Sequence, residues 1–311
     1  DGQRYTVIHC SDGQYRYISN SGTLTQLDSG SVFTQISTSR PARFAQFQDH
    51  LLMVDGREKL IKWSGPTGYM AYVGVPKPAT PTATVQTALA SPLHDRIRYA
   101  ITFINHFGES NLGNPTDYKT TAYSSVQLTN IPTGTSAYDV IGRRIYRERL
   151  SNSGKFVKIG ELFDNTTTSF YDQWGVEVEG DEAPINEEPI ENITLILATE
   201  DSILLVGSNY PNRVYYNNAG KLESYSSLNY VELTEPITAM AYWRQTIYLF
   251  TRNSLSIWQI GTKPQKVLSE NGCISDTSLV VTDNAMYWLA INGFIIFNGS
   301  TSKIISKPYI Q

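Results

Sequence analysis

Apolar residues recur along the chain in short alternating runs, and no stretch carries the 3.6-residue period of an amphipathic helix. The runs form a repeating unit: two alternating segments, then a third that ends in an aromatic residue followed closely by Gly. One copy is 44–47, 51–54 and 60–65, and a second is 193–195, 203–206 and 214–216 with Gly220 a little late. A third is 237–240, 247–250 and 255–261, and a fourth is 278–281, 286–289 and 294–299. A degenerate copy opens the chain at 5–8 and 14–17 and closes at Gly22. β-Branched and aromatic residues dominate the runs, and Gly, Asn, Asp or Ser bound them, so each is expected to be a strand.

The spacing is regular. Leu52 to Trp63 and Leu205 to Tyr216 are 11 residues, and Tyr248 to Trp258 and Tyr287 to Phe297 are 10. Between copies, Tyr216 to Trp258 is 42 residues, Trp258 to Phe297 is 39 and Tyr17 to Trp63 is 46. A period near 40 built of three or four short strands predicts β-propeller blades. Trp63 to Tyr216 spans 153 residues, which leaves roughly 111 after one period is removed. That surplus predicts a folded insert, edged by the proline-punctuated segments 75–81 and 183–189. The expected division is therefore 1–75 for the first blades, 76–189 for the insert and 190–311 for the remaining blades.

The insert also reads as strands, at 83–86, 97–104, 125–128, 142–147, 156–159 and 167–171. Ile97, Tyr99, Ile101 and Phe103 fall on one face of the second run. About seven strands in some 110 residues is the expectation for an immunoglobulin-like or fibronectin-like sandwich. Segments 105–110 and 164–168 are turn material, and the acidic stretch 177–188 is expected to be a solvated exit linker. The fold class expected is thus all-β: a β-propeller with an inserted immunoglobulin/fibronectin-like β-sandwich. Blade number is left open; 303–311 is a candidate outer strand for the first blade.

Composition narrows the function. The 311 residues carry 25 Lys and Arg against 29 Asp and Glu, a net charge of −4, so no basic patch invites a phosphate backbone. No run approaches the 18 apolar residues that span a bilayer. Arg143, Arg144, Arg147 and Arg149 are expected on one polar strand face. Cys10 and Cys273 lack metal-type spacing; they would pair only if the chain ends meet, and two buried free thiols are the expectation. The chain opens on Asp1 with no basic-then-apolar leader, as expected of a processed chain or a piece of a longer one.

Catalytic motifs are missing: no G-x-S-x-G elbow, no phosphate loop and no H-E-x-x-H. His9, His50, His94 and His106 are scattered, and His94 beside Asp95 reads as a surface polar pair. Asp49, Asp55, Asp201 and Asp283 sit at or near hairpin turns, where Asp bonds its own backbone. Asn165, Asn192 and Asn298 head N-x-[ST] triplets, as a chain rich in Ser, Thr and Asn produces by accident. The constant register of Trp63, Tyr216, Trp258 and Phe297 predicts packing between blades, with sugar stacking the lesser reading.

Segments 39–54 (SRPARFAQFQDHLLMV), 98–110 (RYAITFINHFGES), 142–147 (GRRIYR) and 292–299 (NGFIIFNG) resemble tail hub or nozzle proteins of short-tailed bacteriophages. These are also called tail stabilisation or tubular tail B proteins. The resemblance covers nearly the whole chain as a pattern of strand and turn, with no invariant catalytic motif. It implies a structural protein of the virion tail, a homohexameric six-fold ring below the portal and adaptor proteins. DNA would pass through the ring during ejection without specific binding, and fibres or tailspikes would attach to it. It implies no enzyme, no cofactor and no metal, so no catalytic, cofactor-binding or metal-binding residue is assigned. Two alternatives stay open: an extracellular glycan-binding propeller, and a propeller glycoside hydrolase with two carboxylates about 5 to 9 Å apart.

Overall fold

The computed structural model describes residues 5–10, 15–18, 22–27, 41–56, 59–66, 70–185 and 191–306. Among them there is no α-helix, only four short 3-10 turns, and the rest of the regular structure is antiparallel sheet. Strands β1 (Thr6–His9), β2 (Tyr15–Ile18) and β3 (Leu24–Gln26) make the first sheet. The second is β4 (Arg43–Phe47), β5 (His50–Val54), β6 (Ile61–Trp63) and β7 (Met70–Tyr72).

Eight strands then interrupt the series. They are β8 (Thr82–Ala90), β9 (Arg96–Asn105), β10 (Gly108–Glu109), β11 (Lys119–Thr120), β12 (Ser124–Thr129), β13 (Gly142–Arg149), β14 (Val157–Leu162) and β15 (Phe170–Asp172). They form one sheet in the order β10-β9-β13-β14, with β11 also on β9, and another in the order β15-β12-β8. Ile97, Tyr99 and Ile101 from the first meet Ala83, Val126 and Leu128 from the second in one buried cluster. Each of the six runs read from the sequence here overlaps a strand, the last only at 170–171, since 167–169 precede β15. Strand β9 departs from simple alternation, because Ala100 and Thr102 on its other side are as buried as Tyr99.

The series resumes with a third sheet of β16 (Ile193–Ala198), β17 (Ile203–Gly207), β18 (Arg213–Asn217) and β19 (Tyr225–Glu232). The fourth is β20 (Ile237–Trp243), β21 (Thr246–Thr251), β22 (Ser254–Trp258) and β23 (Gln265–Ser269). The fifth is β24 (Val280–Val281), β25 (Met286–Ala290), β26 (Gly293–Phe297) and β27 (Ser302–Ile304). Strand β27 pairs with β26 of its own sheet, so 303–304 do not complete the first sheet; 307–311 lie outside the described residues.

Five up-and-down sheets with their cores between faces make a β-propeller-like, all-β architecture. Tyr15 and Trp63 join sheets one and two, and Leu52, Val54, Ile203 and Leu205 join two and three. Leu204, Val214, Leu249 and Trp258 join three and four, and Phe250, Leu255, Trp288 and Phe297 join four and five. Period-two alternation supplies an apolar residue to each face, so every inner sheet is buried on both sides. The first strands of sheets two, three and four lie side by side, β4 against β16 and β16 against β20. Sheets two and three therefore touch directly, with the eight-stranded segment looped out between them.

One hairpin carries a turn the sequence does not advertise. Arg244 and Gln245 between β20 and β21 both have positive φ, 50° and 59°, the geometry of a type I′ turn usually given to Asn-Gly. The Arg244 guanidinium lies 4.2 Å over the Trp243 ring and donates to the Asp283 carbonyl, 3.2 Å. The turn's strain is thus offset by a tie to the fifth sheet.

Candidate functional site

Three hollows gather polar groups. A cavity of about 240 Å³ lies where the first strands of the sheets converge, lined by Arg43, Asp55, Thr194, Thr238 and Asp276. Arg43 and Asp276 form a two-pronged ion pair there, the Nη2–Oδ1 arm at 2.9 Å. It joins the second sheet to the turn that precedes the fifth, across the inner edges of sheets three and four. Asp55 lies in the connection after β5, as expected, and is only 4 % exposed. The guanidinium that enters this hollow is thus bound to Asp276.

A groove of about 640 Å³ lies between sheets three and four, lined by Thr199, Asp201, Tyr242, Gln245, Trp258 and Lys263 among others. Trp258 is 4 % exposed, its ring packs 5.6 Å from Tyr216, and its Nε1 donates to the Thr262 carbonyl. Trp63 packs against Tyr5 and Tyr17, and Phe297 against Tyr248 and Trp288. All four register aromatics thus sit between sheets.

The third hollow, about 510 Å³, lies at the junction of the looped-out segment with the second and third sheets. The turn between β9 and β10 is shaped by Asn105, whose Oδ1 accepts from the N–H groups of Phe107 and Gly108, each 2.9 Å. This presents the Phe107 ring 4.6 Å from Lys62 Nζ and 4.8 Å from the His50 ring. Lys62 forms an ion pair with Glu223 from the third sheet's side, and Glu223 also accepts the Gly74 N–H. A Cβ on Gly108 would stand 3.3 Å from the Glu223 Cβ, so that approach suits glycine. Burial, and secondarily Lys62, push the His50 imidazole below its ordinary pKa. Nearby, Lys59 Nζ donates to the Tyr138 hydroxyl at 2.7 Å, and Val75, Phe103 and Val140 share a small core.

The arginine run is corrected: it is not one polar face. Alternation sends Arg143 and Arg147 inward beside Ile145, all three with no exposure, while Arg144 and Tyr146 reach Glu109 on the other side. Arg147 holds Asp172 at 2.9 and 3.1 Å, the carbonyls of Trp174 and Gly175, and Glu179. Tyr99 donates to Asp172 at 2.7 Å, and burial raises both groups' pKa values. Arg143 donates to the carbonyls of Asp164 and Thr167. The two guanidiniums are clamps from β13 onto the opposite sheet's flanks. In the acidic stretch Glu177, Asp181 and Glu182 are exposed as expected of a solvated linker, whereas Glu179 is half-buried and gripped by Arg147 and Arg149; 186–188 lie outside the described residues.

The histidines do not meet. His9 packs on Tyr15, His94 on Tyr123 rather than pairing with Asp95, and His106 bonds Asp139 at 2.6 Å. Among the described residues no three His, Cys, Asp or Glu gather as a metal site. Both cysteines are free; Cys273 is buried and Cys10 half-buried. Asn298 caps its own turn through the N–H groups of Ser300 and Thr301, and Asn165 is bonded to Gly134. The junction hollow is what sequence reasoning missed, because Lys62, Phe107 and Glu223 share no motif.

No protein-family model matches the chain, and no curated protein matches it. Solved structures similar to it include the computationally designed Ika8 protein, at 12% identity and TM-score 0.31, over 98% of this chain and 84% of that one. Hsv2p of Kluyveromyces lactis is similar over 95% of this chain and 73% of its own, at 8% identity and TM-score 0.31. BamB of Moraxella catarrhalis is similar over 95% and 82%, at 12% identity and TM-score 0.27. Likenesses this low carry no argument about function.

Proposed function

We propose that the chain is a non-enzymatic structural protein of a short-tailed phage's virion tail, a repeated unit of its ring-shaped tube or nozzle. In this reading 76–189 is an inserted immunoglobulin- or fibronectin-like domain between propeller blades at 1–75 and 190–311. The ring lies below the portal and adaptor, DNA leaves through it, and fibres or tailspikes attach to its outside.

The observation that carries the reading is how the polar chemistry is used. The buried ion pairs Lys62–Glu223 and Arg147–Asp172, and the partly exposed Arg43–Asp276, join separate sheets to one another. Charged groups used in this way tie several sheets into one body, as a subunit of a ring requires. A net charge of −4 also suits a conduit, because every phosphate a wall neutralises adds affinity and slows transit.

Cryo-electron microscopy of virions carrying an epitope-tagged chain tests it. Tag density in a ring at the tail is the expected result, and tagged chain absent from purified particles overturns it. A glycan array separates the competing binding reading, for which hits lost on altering Tyr242 in the groove would be required.

A further inference from the structure

Each sheet turns the same side toward the next. On the fourth sheet Tyr248, Phe250, Leu255 and Ile257 face the fifth. The fifth carries Tyr287, Leu289, Phe294 and Ile296 at the equivalent positions, each 39 residues further along the chain. Met286, Trp288, Ile295 and Phe297 alternate with them and pack back on the fourth sheet. The first four therefore point away from the stack, and no described sheet covers them. Phe294 is 48 % exposed, whereas its counterpart Leu255 is fully buried. Val280 beside Tyr287, and Ile305 beside Phe294, widen the same apolar face.

At the other end of the stack the first sheet buries Tyr15 and Tyr17 against the second. Ile18 and Leu24, cross-strand partners on the side away from it, are 37 % and 50 % exposed. The chain thus repeats one kind of face-to-face contact four times and carries both halves of a fifth, one at each end.

We infer that these two faces are a single interface between copies: the fifth sheet of one copy packs on the first sheet of the next, head to tail. The occupant is a second copy because the chain's own first sheet leaves Phe294 exposed while presenting the complementary side outward. The two surfaces differ, so the contact is heterologous and propagates into a ring or a filament according to whether its rotation closes. This deepens the ring reading above and rests on it for closure; the contact itself concerns this chain alone.

Sedimentation velocity on the purified chain tests it, with Phe294→Asp, Ile18→Asp and, as a control on the looped-out segment, the 86 % exposed Phe163→Asp. Wild type and Phe163→Asp are expected to assemble with rising concentration, and each interface variant alone to stay monomeric. Mixing Phe294→Asp with Ile18→Asp is expected to stop at dimers, since only one intact pair of faces remains. Wild type that stays monomeric overturns the inference, as does dimerisation of Ile18→Asp alone, which means fifth sheet on fifth sheet. If circular dichroism shows Phe294→Asp unfolded, Ile305→Asp replaces it. A ring that survives folded Phe294→Asp overturns this contact and leaves the tail reading standing. Absence of the chain from virions does the reverse.

Discussion

Lys62 and Glu223 form an ion pair in the interior although 161 residues of chain separate them, their side chains 0 % and 5 % exposed. One belongs to the second sheet and the other leads into the third, and the Phe107 ring from the looped-out segment rests on the ammonium. Three parts of the chain thus meet at a charge that water does not reach.

Removing one partner leaves the other charge buried alone. Glu223→Ala is expected to lower the unfolding free energy by about 3–5 kcal/mol, while Lys62→Met with Glu223→Leu recovers most of that loss. Urea denaturation reads both. A loss under 1 kcal/mol in the single variant would mean water reaches the pair.

His50, also against Phe107, gives a pH signature. Its folded pKa lies below the unfolded value near 6.5, so the folded state binds fewer protons in that window. The stability it contributes is present above about pH 6.5 and is lost as pH falls through the lower folded pKa. Urea midpoints between pH 5 and 8 should rise with pH, and His50→Phe should flatten that rise. An identical slope in the variant would assign the effect elsewhere.

Gly160 on β14 faces Phe170 on β15, and a Cβ there would stand 2.7 Å from the ring. Gly160→Ala is expected to cost about 1–3 kcal/mol through overpacking, relieved by Phe170→Leu. A double-variant cycle on thermal stability tests whether the two residues couple.

Trp288 is fully buried between sheets four and five. Trp288→Ala is expected to cost about 3–5 kcal/mol. Phe163→Ser, at an 86 % exposed position, should stay within about 0.5 kcal/mol. Equal effects at the two sites would contradict the assignment of the core.

The strands were legible because alternation is local. Tyr248 and Leu249 point to opposite sides whatever the rest of the chain does, and the spacing of Trp258 and Phe297 repeats that pattern. The fourth strands were less so: β27 has only three residues, and β23 opens on Gln265 and Lys266 with Leu268 packed on the core, since an outer edge needs no second apolar row. The turn at Arg244 and Gln245 escaped as well, because its geometry is held by Trp243 and Asp283, not by its own residue types.

The candidate site was legible least. Arg143 and Arg147 read as a solvated face because charge predicts exposure, and only the carbonyls and carboxylates contributed by 164–179 make burial tolerable. Glu179 shows the same, an acidic residue in a linker-like stretch fastened by two guanidiniums.

By itself the amino-acid order determined that this protein is made of short strands in a period near 40, with one long interval between two copies. Alternation and spacing act over a few residues and need no partner. Which charges are buried, that sheets two and three touch across the interval, and which face of the fifth sheet is left open were decided by tertiary structure alone. Those depend on desolvation, and a group's share of water is set by residues distant in sequence, 25 positions for Arg147 and Asp172 and 161 for Lys62 and Glu223.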